Sequence, residues 1–323
     1  MSDALRVAVL KGGRSLERAV SMRSGAQVQA GLQRLGHEVH GIDAGTGLVG
    51  ELLELRPDVV FVALHGREGE DGTIQSLMES LDLRYTGSGP SACVHCTDKM
   101  LAKHLMREAG IPTPVFRALR EPSIRDFGAG AALGAIEADL GFPMVVKPAR
   151  GGSALGVKFA SSEQELPGAM VGAFSYDSTV LLERHIRGRD LAVSVLDTPH
   201  RDAGSEPPHA LPVVEAVPRE EDFYDYESRY QIGTTTFVCP AELAPETTAR
   251  AQQLAVQVYE LLGCRGFARI DLMLEQETGE LWVLEANVVP GMTETSLLPQ
   301  AADAAGLSFE ELLERVLASA FDR

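Results

Sequence analysis

Residues 283–297 read Val-Leu-Glu-Ala-Asn-Val-Val-Pro-Gly-Met-Thr-Glu-Thr-Ser-Leu, a strand that runs straight into a Pro-Gly turn. Side chains alternate across a strand, so Glu285 and Asn287 point the same way. A second stretch, 267–274 (Phe-Ala-Arg-Ile-Asp-Leu-Met-Leu), puts Arg269 and Asp271 on one face and Ala268, Ile270, Leu272 and Leu274 on the other. If the two strands pair, three oxygen donors and a guanidinium share one surface. Mg²⁺ takes few carboxylates and fills its octahedron with phosphate oxygens and water. The pattern therefore reads as a phosphate-handling site. The plainer reading is two carboxylates on a solvated face, which would leave Asn287 and Arg269 without a use.

Composition narrows the partners. A net charge of −17 argues against a nucleic-acid surface, which needs a basic face. It still allows a nucleotide held by a few local cations. The 323 residues correspond to two or three domains at about 100–200 residues each. No long apolar run follows Met-Ser-Asp-Ala-Leu-Arg, and no stretch approaches the ~18 apolar residues of a membrane span. The expectation is a cytoplasmic protein with no membrane partner. Cys93-Val-His-Cys96 has the spacing of half a zinc site, but neither Cys239 nor Cys264 supplies a second close pair. Reduced cysteines filling small apolar holes are expected instead.

The first ~90 residues alternate strand and helix signals, at a spacing typical of a layered α/β unit. Leu5–Leu10 and Asp58–Leu64 are short, apolar and β-branched, as buried parallel strands are. Between them the spacing of Val28, Leu32 and Leu35 predicts a helix over Gly25–Leu35, stopped by Gly36. Asp71 is placed to cap a helix containing Ile74, Leu77 and Met78. Ligands of open α/β layers lie beyond the carboxyl ends of the strands, here at 11–17 and 65–71. A helix with Met100, Leu101, His104 and Leu105 on one face leads to the boundary element Ile111-Pro-Thr-Pro114. Arg120–Ala138 reads as a loop running into a helix, and Thr198–Pro212 as an exposed excursion. Pro143–Pro148 and Val157–Ala160 form a hairpin around a glycine-rich loop, with strands at Val180–Glu183 and Asp190–Leu196. Thr248–Leu262 and Phe309–Leu317 are amphipathic helices.

The loop Lys147-Pro-Ala-Arg-Gly-Gly-Ser-Ala-Leu-Gly156 offers unobstructed backbone N–H groups behind a fixed cation, which suits phosphate oxygens. It lacks the G-K-[S/T] of a Walker A loop, and Gly12-Gly13 lacks the G-x-G-x-x-G of a dinucleotide fold. An ordinary hairpin loop is the plainer reading. Glu17 stands where a carboxylate could hold an ammonium group, or simply cap a helix. His65 directly follows a buried strand and could be structural. Phe223-Tyr-Asp-Tyr-Glu-Ser-Arg-Tyr230 crowds aromatic rings into one loop, either a cover over a site or a surface hairpin. A cover matters where water would destroy an activated phosphate intermediate.

Taken in order, these segments resemble the D-alanine–D-alanine ligases of the ATP-grasp superfamily. The resemblance runs through Gly12–Ser21, His65–Gly72, Tyr85–Ser88, Asp98-Lys99, Val145–Pro148 and the glycine-rich loop. It continues through Phe223–Tyr230, Gly266–Asp271 and Glu285–Thr293. It implies an α/β (in part α+β) fold of three parts: an N-terminal open parallel α/β domain (1–92), a central small α+β unit with the glycine-rich loop (93–182) and a C-terminal α+β unit (183–323). It also implies a reaction, in which the γ-phosphate of ATP passes to the carboxylate of one D-alanine and the amine of a second attacks the acyl phosphate.

By position the resemblance assigns Lys99 and Lys147 to the nucleotide phosphates, Glu183 and Ile186 to the adenine, and Asp190 to the ribose. Glu17 takes the first D-alanine ammonium and is linked through Ser153 to Tyr230. Arg269 and the Gly291 backbone stabilise the oxyanion, and His65, Ser296 and Leu297 lie near the second D-alanine. Asp271, Glu285 and Asn287 bind two Mg²⁺, for which Mn²⁺ can substitute. A homodimer and a response to K⁺ are also implied. The chain departs from the family's common pattern at Ala19, Ala154, Asp190, Arg229 and Val288-Val289. The aromatic loop favours an amine over a hydroxy-acid acceptor. A carboxylate–amine ligase with another acceptor, a nucleotide-binding protein without ligase activity and a dinucleotide oxidoreductase remain as alternatives.

Overall fold

The structure, a computed structural model, describes residues 4–128, 130–197, 207–218 and 235–321. The aromatic loop with Arg229 and Tyr230, and residues 198–206 of the expected excursion, lie outside these residues.

Strands β1 (Arg6–Lys11), β2 (Glu38–Asp43) and β3 (Val59–Val62) form a parallel sheet in the order β2-β1-β3. Val7, Val9, Ala8 and Leu10 are all fully buried, because helices and the rest of the chain cover both faces. That is why β1 reads as a continuous apolar run rather than an alternating one. The helix behind it spans Arg18–Arg34 and starts earlier than the apolar spacing predicts. Its first turns bury Ser21 and Ser24 alongside the single apolar Val20, too few apolar side chains for hydrophobic periodicity to find them. Gly72, not Asp71, is the N-cap of helix Thr73–Ser80. Asp71 still accepts the Thr73 N–H from one position further out, at 3.0 Å.

Strands β4 (Phe116–Arg120), β5 (Met144–Pro148), β6 (Lys158–Ala160) and β7 (Thr179–Arg184) make an antiparallel sheet ordered β4-β7-β5-β6. Met144 and Val146 face helices Gly130–Leu140 and Leu166–Phe174 in a separate core, and Val145 and Lys147 face the opposite way. The stretch 120–138, expected as a loop running into a helix, carries the helix Gly130–Leu140, but its first part is a further helix, Glu121–Phe127, rather than a loop. The run is Gly- and Ala-rich, so its helices draw stability from docking on the sheet more than from a strong local pattern.

The third sheet is antiparallel: β11 (Thr235–Val238), β10 (Val214–Pro218), β8 (Gly188–Leu196), β12 (Phe267–Glu275) and β13 (Leu281–Asn287), in that order, with β9 (His209–Ala210) beside β8. The end of the expected excursion therefore returns to the sheet, where Leu211 is buried. Across β8 and β12, Val193 faces Ile270, Val195 faces Ala268 and Leu191 faces Leu272. This apolar face packs on helix Pro245–Leu262 in a core that continues under the first sheet. The other face carries Ser194 opposite Arg269 and Ala192 opposite Asp271.

One helix turns the other way from expectation. Lys99–Glu108 buries Lys99, Ala102, Lys103 and Met106, not Met100, Leu101, His104 and Leu105. Carboxylates opposite this face, Glu183 and Glu285, draw the lysines inward. Cys96 Sγ lies 3.6 Å from Cys264 Sγ; this contact and burial push the Cys96 thiol pKa well up, as befits an unreactive filler. No helix among the described residues is long and apolar enough to cross a membrane.

Candidate active site

Two connected cavities lie where the sheets meet. The first, about 340 Å³, opens between the central sheet and the β12–β13 edge. Its walls include Lys147 from β5, Glu183 from β7, Ile186 and Asp190 around the β7–β8 turn, and Asp271 and Glu285 from the floor strands. The second, about 610 Å³, lies under the first sheet's loops and is lined by Glu17, Glu70, Ser153 and Asn287. Lys99, Gly151, Gly152 and Glu285 line both, so the cavities join there.

The first cavity is built around a buried ion cluster. Strand alternation puts Val145, Lys147 and Glu183 on the cavity face, with Glu183 directly opposite Val145. Lys147 Nζ sits 2.9 Å from Glu183 Oε2, and Lys103 Nζ 3.3 Å from Glu183 Oε1. Lys103 also donates to Thr113 Oγ1 at 2.7 Å. Burial works to raise the Glu183 pKa, but Lys103 and Lys147 outweigh it and hold the carboxyl below its ordinary value. Burial pushes the Lys103 ammonium down to about 8 against the pull of Glu183, so it still carries its charge at neutral pH. Glu183 Oε1 is wholly buried, and the Lys103 ammonium faces it as an ion-pair partner.

The junction is held by the glycine-rich loop. Lys99 Nζ donates to the Gly151 carbonyl and stands 3.5 Å from Glu285 Oε2. Ser153 and Ala154 both have left-handed backbones, φ +54° and +56°. Each costs on the order of 1–3 kcal/mol for a side-chain-bearing residue. The strained pair turns the Ser153 hydroxyl onto Glu17, where it donates to Oε1. A Cβ on Gly152 would stand 3.2 Å from the same oxygen, a tight contact that would push on the carboxylate.

Glu17 is buried at the entrance of helix Arg18–Arg34, and its pKa is raised to about 7. Burial is the largest cause and Glu70 the next, while Ser153, His65 and Lys99 oppose them. His65 Nδ1 lies 3.5 Å from Glu70 Oε1 and its Nε2 lies 2.9 Å from Ser24 Oγ.

On the floor, Arg269 faces Asn287 and Asp271 faces Glu285 across the β12–β13 ladder. A bulge follows: Leu272 pairs with Val283, so Leu284 is the extra residue and lines the first cavity. Arg269 grips Asp271 with two parallel bonds, Nε to Oδ1 at 2.6 Å and a terminal N–H to Oδ2 at 2.8 Å. Asn287 Oδ1 accepts the Val289 N–H at 3.0 Å. Beyond it, Ser296 Oγ accepts the Thr293 N–H at 2.9 Å, and a Cβ on Gly291 would meet that hydroxyl at 2.5 Å. Leu297 opens helix Leu297–Ala304 and packs in the core beside Met292. Val288 and Val289 are both buried, with Val288 on the wall of the second cavity.

The structure thus gathers Glu17, Ser153, Lys99, Lys147, Glu183, Ile186, Asp190, Asp271, Glu285 and Asn287 around the joined cavities. Arg269, His65, Gly291, Ser296 and Leu297 stand in the layer behind them, and Tyr230 lies outside the described residues. Sequence reasoning missed Lys103, Glu70 and Ser24. Lys103 had a signal: it lies four residues after Lys99, one helical turn along the same face. Lys103→Met is expected to raise the apparent KM for the nucleotide about tenfold, the worth of one charge-assisted contact no longer held in place. Steady-state kinetics checks this, and an unchanged KM would show that Glu183 needs no second lysine.

Two antiparallel sheets closing on a lysine-lined cleft, with carboxylates on the floor strands and a glycine-rich loop over the junction, define an ATP-grasp ligase. The family model for the D-ala D-ala ligase C-terminus matches residues 105–318, and that for the N-terminus matches 48–88. The chain belongs to the D-alanine–D-alanine ligase family. It is 45% identical over 316 residues to the D-alanine–D-alanine ligase of Syntrophotalea carbinolica, covering 98% of this chain and 96% of the relative. It is 41% identical to that of Gloeobacter violaceus over 98% of this chain and all of the relative. Among solved structures, the D-alanine–D-alanine ligase from Bacillus anthracis complexed with ATP superposes with a TM-score of 0.81 at 33% identity, covering 99% of this chain and 98% of that one. The Coxiella burnetii enzyme gives 0.81 at 26% identity, over 100% of this chain and 95% of that one.

Proposed function

We propose that the protein joins two D-alanine molecules at the expense of ATP, in the cytoplasm, for peptidoglycan synthesis. The observation that carries this reading is the junction itself. A nucleotide-sized cleft opens, at Lys99, Gly151 and Glu285, into a cavity holding a buried carboxylate suited to an ammonium group. Lys99 and Lys147 hold the phosphates of ATP, Glu183 and Ile186 meet the adenine and Asp190 the ribose. Glu17 pairs with the ammonium of the first D-alanine and presents its carboxylate at the junction, where the γ-phosphate is transferred and ADP leaves. The amine of the second D-alanine, near His65, Ser296 and Leu297, attacks the acyl phosphate. Arg269 and the Gly291 N–H offset charge on the tetrahedral oxygen until phosphate departs. Tyr230 completes the Glu17–Ser153 link from the covering loop.

The floor suits a hard divalent cation. Asp271 and Glu285 are cross-strand partners and Asn287 is the next residue on their face. No third carboxylate, histidine or cysteine joins them among the described residues. An octahedral ion would therefore take its remaining ligands from phosphate oxygens and water. Mg²⁺ held there, or Mn²⁺ in its place, would neutralise phosphate charge. A homodimer and activation by K⁺ are part of the same reading.

The test supplies ATP and Mg²⁺ with D-alanine alone, then with D-lactate or D-serine added, and reads phosphate release with product mass. D-Alanyl-D-alanine from D-alanine alone is expected, and EDTA should abolish it. Turnover only with a mixed pair would replace this reading with a ligase for another acceptor.

A further inference from the structure

Ser21 and Ser24 are both fully buried on helix Arg18–Arg34, three residues apart, but they serve different partners. Ser21 accepts the Gly12 N–H at 2.9 Å and donates to the Ala63 carbonyl at 2.7 Å, so it only stitches backbone. Ser24 accepts the Met292 N–H at 3.2 Å and meets His65 Nε2 at 2.9 Å. A peptide N–H can only donate, and a serine hydroxyl has a single proton. The hydroxyl has two lone pairs, so Met292 on one of them leaves the direction of the Ser24–His65 bond to be set across the ring. There Nδ1 faces the accepting Glu70 carboxylate, and Nε2 is left to take the Ser24 proton. The imidazole is thereby an acceptor at Nε2 and carries its own proton at Nδ1, which faces Glu70 Oε1 at 3.5 Å. Which ring nitrogen is protonated is set by what the other one bonds.

We propose that Ser24 is a positioning residue: its one hydroxyl, with Glu70 on the other side of the ring, holds His65 in the Nδ1–H tautomer and ties down the Gly291–Met292 turn. Ser24 lies seven residues after Glu17, about two turns along one helix. The helix therefore spaces the ammonium-binding carboxylate from the oxyanion turn as a rigid rod. The functional half of this inference rests on the roles proposed above for His65 and Gly291; the tautomer does not.

The test has two arms. In the protein labelled with ¹⁵N-histidine, long-range ¹⁵N–¹H spectra, assigned by the signal lost in His65→Gln, are expected to show His65 unprotonated at Nε2. Ser24→Ala should move that signal toward the Nε2–H form. In kinetics, Ser24→Ala should raise KM for the second D-alanine about tenfold, the worth of a lost hydrogen bond to a poised group. ATP affinity, by direct titration, should not change, and Ser24→Thr, which keeps the hydroxyl, should recover most of the loss. Nε2–H in the unmutated protein overturns the proposal, and so does an unmoved signal in Ser24→Ala. An equal loss of ATP affinity marks a merely structural serine and overturns it as well. If no dipeptide forms at all, the reading of function fails while the spectra still decide the tautomer.

Discussion

Arg269→Ala is expected to lower kcat about 10²–10³-fold at saturating ATP and D-alanine, the cost of losing one donor to a developing oxyanion. The structure adds a second consequence, because Arg269 also holds Asp271 with two bonds of 2.6 and 2.8 Å. Removing the guanidinium takes two donors off the Asp271 carboxylate, so the Mg²⁺ concentration for half-activation should fall or stay level rather than rise. That pairing of outcomes separates two roles. An arginine that served only to neutralise Asp271 would, when removed, leave kcat within about threefold of the unmutated enzyme, a result that would falsify the oxyanion assignment. Arg269→Lys should recover little, since an ammonium cannot make two parallel bonds to a carboxylate while also reaching an oxyanion.

Glu17→Gln should make the enzyme both poorer and more stable. In the unliganded protein Glu17 titrates near 7, mainly because it is buried and secondly because Glu70 is close. A carboxyl whose folded pKa is raised favours the folded state fully below its unfolded value, near 4.5. That contribution is lost as pH rises through 7. Holding the charged form above pH 7 costs on the order of 3 kcal/mol, which glutamine does not incur. The variant's Tm should therefore exceed the parent's at pH 8 and converge with it toward pH 5, as calorimetry at the two pH values would read. In the proposed reaction the ammonium of the first D-alanine is the charge that would offset this cost. Losing a buried partner to a charge costs about 2–5 kcal/mol, so kcat/KM for the first D-alanine should drop by roughly 30-fold or more. In the parent, affinity for that D-alanine should rise with pH up to about 7 and then level off; in the variant it should be flat. A parent whose affinity ignores pH between 6 and 8 would remove Glu17 from the ammonium site.

Much of the site was legible because strands advertise their faces. Arg269 and Asp271 alternate with Ala268, Ile270 and Leu272, and Glu285 and Asn287 with Ala286, so the ladder places the polar set on one surface. The ordered motifs, taken with the resemblance they carry, pointed to a family that the full-length relatives bear out. Helix Lys99–Glu108 was read on the wrong face because apolar spacing is a rule about burying oil. Here two lysines are the buried side, held by carboxylates from other strands. The early turns of helix Arg18–Arg34 were missed for a related reason, since their buried serines bond loop backbone that the sequence does not place beside them.

The sequence by itself determined the alternation of Arg269, Asp271, Glu285 and Asn287 and the run of glycines after Lys147. Each is a local property, set by side-chain period or backbone freedom within about ten residues. Only the tertiary structure decided that burial lifts the Glu17 pKa to about 7, that Lys103 shares Glu183 with Lys147, that Leu284 bulges into the first cavity, and that one serine hydroxyl joins His65 to the Gly291–Met292 turn. Those depend on partners far away along the chain, 136 residues for Ser153 and Glu17 and 268 for Met292 and Ser24. Burial and hydrogen-bond geometry at such range exist only once the sheets have closed on one another.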